Sequence, residues 1–172
     1  MLGGIRSGKS EFAEGLVATD GSVRYVATAV RGTDDAAWAG RIDRHRARRP
    51  VTWTTTEVGD DPPRLLEVVA SAAAGETLLV DDVGGWVAAH VTELTVDGAN
   101  DSLPVALATA VRACRARLVL VSPEVGLSVV PATPAGSIFA DVLGSTNRAV
   151  AAECDAVVLV VAGNAVPVKG AL

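Results

Sequence analysis

Short runs of β-branched and aliphatic residues recur along the chain, separated by longer stretches in which Ala and Leu mix with charged residues. Arg24–Thr28, Val51–Thr55, Thr77–Asp81, Leu118–Ser122 and Ala156–Val161 have the length and composition of strands. The segments about 8–18, 34–48, 63–74, 84–94, 102–115 and 136–153 are long enough for helices. Repeated alternation of the two predicts an α/β fold with a mostly parallel sheet covered on both faces by helices. Two longer loops are expected, Thr95–Asp101 and Pro123–Gly136. The second is rich in Gly and Pro and follows a strand, at the carboxyl end of the sheet where open α/β folds bind ligands, so it is a candidate site wall.

A chain of 172 residues is the size of one domain, and a single domain over 1–172 is expected. Hydrophobic residues make up 49% and aromatics 3%, so the interior must be built from Val, Ala and Leu. The net charge of -5 argues against a nucleic-acid partner, whose phosphates need a basic surface. Anions must instead be met locally, and the one concentrated basic stretch is Arg41–Arg49. Cys114 and Cys154 fit no metal-ligand spacing and read as reduced thiols. With no signal peptide and no apolar run near the ~20 residues that span a bilayer, a cytoplasmic location is expected.

The strongest chemical signal opens the chain. Gly3-Gly4-Ile5-Arg6-Ser7-Gly8-Lys9-Ser10 fits the phosphate-loop pattern and precedes a segment able to form a helix. Glycines let successive backbone N–H groups face phosphate oxygens, and the helix N-terminus adds partial positive charge. Lys9 would reach the β- and γ-phosphates, and the Ser10 hydroxyl would ligate Mg2+. Such a loop normally follows a buried strand, yet only Met1 and Leu2 precede Gly3, so the first strand is expected to be truncated.

A Mg-nucleotide site also needs a carboxylate at the end of a neighbouring strand. Leu78-Leu-Val-Asp81-Asp82 supplies Asp81 as first choice, with Asp82 beginning the turn. The competing reading of an aspartate there is a helix cap. No Asn-Lys-x-Asp segment is present, which disfavours a signalling GTPase. Asp34–Arg49 reads as a helix with acids at its start, arginines at its end and Pro50 as its stop. Helical spacing would put His45 beside Arg41 and Arg48 or Arg49, and nearby positive charge keeps an imidazole neutral and able to attack phosphorus. The plainer alternative is a solvated arginine face with His45 merely packing, and His90 reads as structural.

Taken in order, these segments resemble the bifunctional adenosylcobinamide kinase / adenosylcobinamide-phosphate guanylyltransferase family. The resemblance is carried by Gly3–Ser10, Tyr25-Val-Ala-Thr28, Arg41-Ile-Asp-Arg-His45-Arg46-Ala-Arg-Arg49-Pro50, Trp53-Thr-Thr-Thr-Glu57, Leu79-Val-Asp81 and Val121-Ser-Pro-Glu124-Val-Gly126. It implies a RecA-like P-loop fold, a homotrimer, and two reactions with ATP and GTP as substrates and Mg2+ as cofactor. The hydroxyl of adenosylcobinamide's aminopropanol arm is phosphorylated, and GMP then passes from GTP through a histidine to adenosylcobinamide phosphate. By position His45 is that histidine, Lys9, Ser10 and Asp81 are phosphate and Mg2+ residues, and Arg41, Arg46, Arg49 and Glu57 join the nucleotide site. The chain departs from the family pattern at Pro123, Ala140, Ser145 and Arg148, the middle two standing where members carry arginine. A kinase without guanylylation, and a nucleotide binder of impaired catalysis, are the other readings.

Overall fold

A computed structural model describes residues 1–29, 49–59, 61–90, 102–127, 129 and 131–171. Its strands are β1 (Leu2–Gly3), β2 (Val23–Ala27), β3 (Thr54–Glu57), β4 (Thr77–Asp81), β5 (Arg117–Pro123), β6 (Val157–Val161) and β7 (Asn164–Lys169). Its helices are α1 (Lys9–Val17), α2 (Arg64–Ala70), α3 (Val83–His90), α4 (Ser102–Ala113) and α5 (Pro134–Glu153). The strands form one sheet in the order β3-β2-β4-β5-β1-β6-β7. Every pairing is parallel except the closing β6–β7 hairpin. This is the α/β P-loop arrangement, with β5 inserted between the phosphate-loop strand β1 and the acidic strand β4.

Both faces of the central strands are buried, which is why their sequences are continuous aliphatic runs rather than apolar–polar alternations. Side chains one residue apart point to opposite faces, and the core divides accordingly. Val26, Leu78, Val80 and Leu120 pack with residues of α2 to α5, including Leu65, Trp86, Leu107 and Leu143. Val23, Tyr25, Leu79, Val119 and Val121 pack on the opposite face against Ala13 and Val17 of α1. This alternation decides the site, because Asp81 falls in phase with Leu79 and Tyr25 on the α1 face.

Most predicted elements lie within a few residues of the observed ones. The strand expected at Val51–Thr55 begins instead at Thr54, because Pro50 to Trp53 close a turn through Trp53 N–H donating to the Pro50 carbonyl at 3.0 Å. The helix expected over 63–74 stops at Ala70, and the chain turns at Gly75, φ +90°, where the Glu76 carboxylate accepts the Ala73 amide at 2.7 Å. The helix expected over 34–48 and the loop Thr95–Asp101 lie outside the described residues, as do Arg41, His45 and Arg46.

β7 is an addition that the sequence reading lacked. The turn joining it to β6 is Ala162-Gly163, both at positive φ, 50° and 80°, the backbone a two-residue hairpin requires. Alanine at such a position is uncommon, so the usual Asn-Gly or Asp-Gly signal was missing. Pro167 is tolerated because β7 is an edge strand.

Candidate active site

The phosphate loop spans the gap between β1 and α1. β1 is short but held on both sides, by Ser122 N–H to the Met1 carbonyl at 2.9 Å and Glu124 N–H to the Gly3 carbonyl at 3.0 Å on the β5 side, and by pairing with β6. Gly3 has no room for a side chain, since a Cβ there would lie 2.5 Å from Ser7 Oγ and 2.7 Å from the Val160 carbonyl oxygen. Arg6 and Gly8 adopt φ of 57° and 92°, which reverse the loop before α1. No side chain caps the first turn of α1, so its amides are left for an anion. Lys9 folds back over the loop with Nζ 3.4 Å from the Gly4 carbonyl. Ser7 Oγ is buried without a partner among the described residues.

The hairpin turn braces this loop from behind. Gly163 N–H donates to the Ser7 carbonyl at 2.9 Å, and a Cβ built on Gly8 would lie 3.4 Å from Gly163 Cα.

Asp81 and Ser10 meet where the loop crosses the end of β4. Ser10 Oγ donates to Asp81 Oδ1 at 3.2 Å, and the Tyr25 hydroxyl donates to Asp81 Oδ2 at 2.8 Å. Register explains the second contact. Ala27 pairs with Asp81, so Tyr25 stands two residues back on the neighbouring strand and the same face, a diagonal an aromatic ring can span. Burial raises the Tyr25 phenol far above its ordinary range, the Asp81 charge adds to this, and Arg49 opposes it. The tyrosine is therefore a neutral donor at every working pH.

Asp82 has a different job. Its Oδ1 accepts the Gly85 amide at 2.6 Å, capping α3. Thr28 Oγ1 donates to the Asp82 carbonyl at 2.6 Å and accepts from the Asp82 amide at 3.0 Å, fixing the turn between β4 and α3. Burial raises the Asp82 carboxyl above the usual carboxylate range, against the opposing effects of the Gly85 amide and Lys9.

Arg49 is the one residue of the basic segment's tail that belongs to this cluster among the described residues. Its guanidinium Cζ lies 3.2 Å from the centroid of the Tyr25 ring, and its Nε is buried without a hydrogen-bond partner among the described residues. Glu57 ends β3 in the same row as Asp81, each paired with Ala27, so the two stand about 10 Å apart across β2. The expected residues 3–10, Arg49, Glu57 and Asp81 thus gather at the carboxyl edge of the sheet. The helix cap weighed for an aspartate here falls to Asp82, whereas Tyr25, Thr28 and Gly163 as supports of the site were missed, because their contacts depend on register between strands that no local pattern carries.

The Ser10 hydroxyl and the Asp81 carboxylate form a hard-oxygen donor pair that suits Mg2+, which takes one or two protein oxygens and fills its shell with water and substrate phosphate. No group of three or more His, Cys, Asp or Glu side chains able to hold a metal occurs among the described residues. No helix among them is long and apolar enough to cross a membrane.

Residues 1–168 match the model of the family described as cobinamide kinase / cobinamide phosphate guanyltransferase. The chain belongs to that family. It is 39% identical over 175 residues to the bifunctional adenosylcobalamin biosynthesis protein CobP of Pseudomonas aeruginosa, covering 99% of this chain and 96% of the relative. It is 33% identical over 185 residues to the bifunctional adenosylcobalamin biosynthesis protein CobU of Escherichia coli, covering 98% of each. It is 34% identical over 187 residues to the protein of the same description from Salmonella typhimurium, again covering 98% of each. The match therefore runs the length of the chain and includes the segments outside the described residues.

Proposed function

We propose that this protein is a bifunctional enzyme of cobalamin nucleotide-loop assembly, acting as a single domain over 1–172. It phosphorylates the aminopropanol hydroxyl of adenosylcobinamide with a nucleoside triphosphate. It then transfers GMP from GTP, through His45, to adenosylcobinamide phosphate, giving adenosylcobinamide-GDP. The observation that carries the reading is the junction of Ser10 and Asp81 with a phosphate loop whose helix start no side chain caps, at the carboxyl edge of the sheet, in a chain that belongs to this family along its length.

In this reading the amides of 3–10 cradle the phosphates and Lys9 swings from Gly4 to neutralise them. Ser10 and Asp81 hold Mg2+, which supplies charge neutralisation at the phosphates. His45 attacks the α-phosphorus of GTP, forming a P–N bond as pyrophosphate leaves. The corrinoid phosphate then attacks the same phosphorus and releases the imidazole. Arg41, Arg46 and Arg49 hold the triphosphate and keep His45 neutral for the first step. Glu57 completes the nucleotide site from β3. A homotrimer in the cytoplasm, with ATP or GTP as phosphoryl donor, completes the proposal.

The test is incubation of wild type and His45→Ala with Mg2+ and GTP labelled at the α-phosphate, followed by denaturing separation and acid challenge. Acid-labile label on wild type alone is the expected result. Label on neither, with phosphorylation of adenosylcobinamide retained, would reduce the protein to a kinase. Loss of both would leave a nucleotide-binding protein.

A further inference from the structure

Tyr25 bridges two charged groups of the site, Asp81 through its hydroxyl and Arg49 through its ring. Its hydroxyl holds one oxygen of Asp81 while Ser10 holds the other, so the carboxylate plane is fixed from two elements. Its ring face carries the Arg49 guanidinium. The residue is 3% exposed, so both contacts are made in a desolvated setting, where hydrogen bonds to charge and cation–π contacts are strongest. Arg49 Nε, buried and unpartnered among the described residues, remains as a donor for an anion.

We propose that Tyr25 is a positioning residue of two faces: its hydroxyl orients Asp81 for the metal of the Mg-nucleotide, and its ring seats Arg49 for the nucleotide's phosphates. One side chain thereby ties the tail of the arginine-rich segment to the metal site. The inference rests on the nucleotide-site reading above and assigns a part of that site which neither the loop motif nor the strand-end acid contains.

The geometry makes the two functions separable. Tyr25→Phe keeps the ring and its packing and removes only the hydroxyl. Tyr25→Leu removes the ring face as well. The experiment measures Mn2+ binding by the electron spin resonance of the free ion, with the full chain saturated by a non-hydrolysable GTP analogue. In parallel, affinity for the analogue is measured in EDTA.

Tyr25→Phe should weaken Mn2+ binding about tenfold, the effect of one hydrogen bond to a charged group, and leave metal-free nucleotide affinity unchanged. Tyr25→Leu should weaken both, and Arg49→Ala in a wild-type background should reproduce the metal-free loss, which covers the case in which Tyr25→Leu does not fold. Wild-type Mn2+ affinity in Tyr25→Phe, whatever its melting temperature, overturns the proposal, because a merely structural tyrosine would change stability alone. Asp81→Asn is the control that separates the two levels. If it binds Mn2+ like wild type, the nucleotide-site reading itself fails; if it loses the metal while Tyr25→Phe does not, only the role of Tyr25 is lost.

Discussion

Asp81 accepts from two hydroxyls and turns its carboxylate toward the phosphate loop, whereas Asp82, one residue on, accepts from an amide of its own helix. Substitution should therefore separate them. Asp82→Ala removes a helix cap and should cost about 1 kcal/mol of stability, a few degrees or less in melting temperature, with Mg-nucleotide affinity within a factor of two or so of wild type. Asp81→Asn, which keeps the shape and one acceptor, should melt close to wild type and lose Mg2+-dependent nucleotide binding by at least about tenfold. Thermal unfolding and nucleotide titration on both proteins check the pair, and equal losses in the two would refute the division of labour. The sequence placed both acids at the end of a strand and preferred the first because Asp82 begins the turn; in the structure strand alternation puts Asp81, in phase with Leu79, on the face that α1 covers. It offered no comparable sign of Tyr25 or Thr28, because their roles come from register between strands distant in the chain, which no local pattern encodes.

Elements built on long aliphatic runs were legible because burial on both faces leaves strands made mostly of Val and Leu. β7 was not, since an edge strand needs less apolar character and its turn uses Ala162 where an Asn or Asp would have announced it. The hairpin and β1 together set the loop's conformation, and Gly3 is the tightest point. Gly3→Ala would press a methyl against the Val160 carbonyl, a backbone atom of the sheet with little freedom to retreat, so the loop must shift instead. Nucleotide affinity should fall at least about tenfold with a destabilisation of about 1–3 kcal/mol, read by titration and denaturant unfolding. On the other side of the molecule the α4–α5 pair is stitched by Arg112 donating to both oxygens of Glu153 at 2.9 and 2.6 Å. That pairing lowers the Glu153 carboxyl below its reference value of 4.5. A depressed folded-state value stabilises the fold above the unfolded value and is lost as pH falls through the folded one. The melting temperature of Glu153→Gln should therefore lie below wild type near neutrality and converge with it as pH drops well below 4.5. A gap that stays constant with pH would show that packing, not charge, makes the contact.

The division of the core into two clusters makes stability and ligand binding separable across the whole molecule. Leu143 is fully buried in the cluster that α2 to α5 build, on the face of the sheet away from α1 and the phosphate loop. Leu143→Ala should cost about 2–5 kcal/mol, the transfer term plus the cavity left in a packed interior, a large fraction of the 5–15 kcal/mol typical of a domain. The folded fraction should nonetheless bind Mg-nucleotide with wild-type affinity, because Ser10, Tyr25 and Asp81 meet on the α1 face of the sheet. Ligand linkage then gives a second reading: nucleotide at about 100 times its dissociation constant should return about 2.7 kcal/mol, restoring most of the lost denaturation midpoint. Val17→Ala provides the contrast, since Val17 is fully buried under β4 and β5 within the helix that the phosphate loop begins. Its smaller cavity should cost less stability yet weaken nucleotide binding, as α1 settles toward the sheet and draws Ser10 out of register with Asp81. Unfolding by urea with and without Mg-nucleotide measures both at once. If Leu143→Ala weakens binding as much as Val17→Ala does, the two faces are mechanically one, and the loop's geometry depends on the whole core rather than on the α1 face alone.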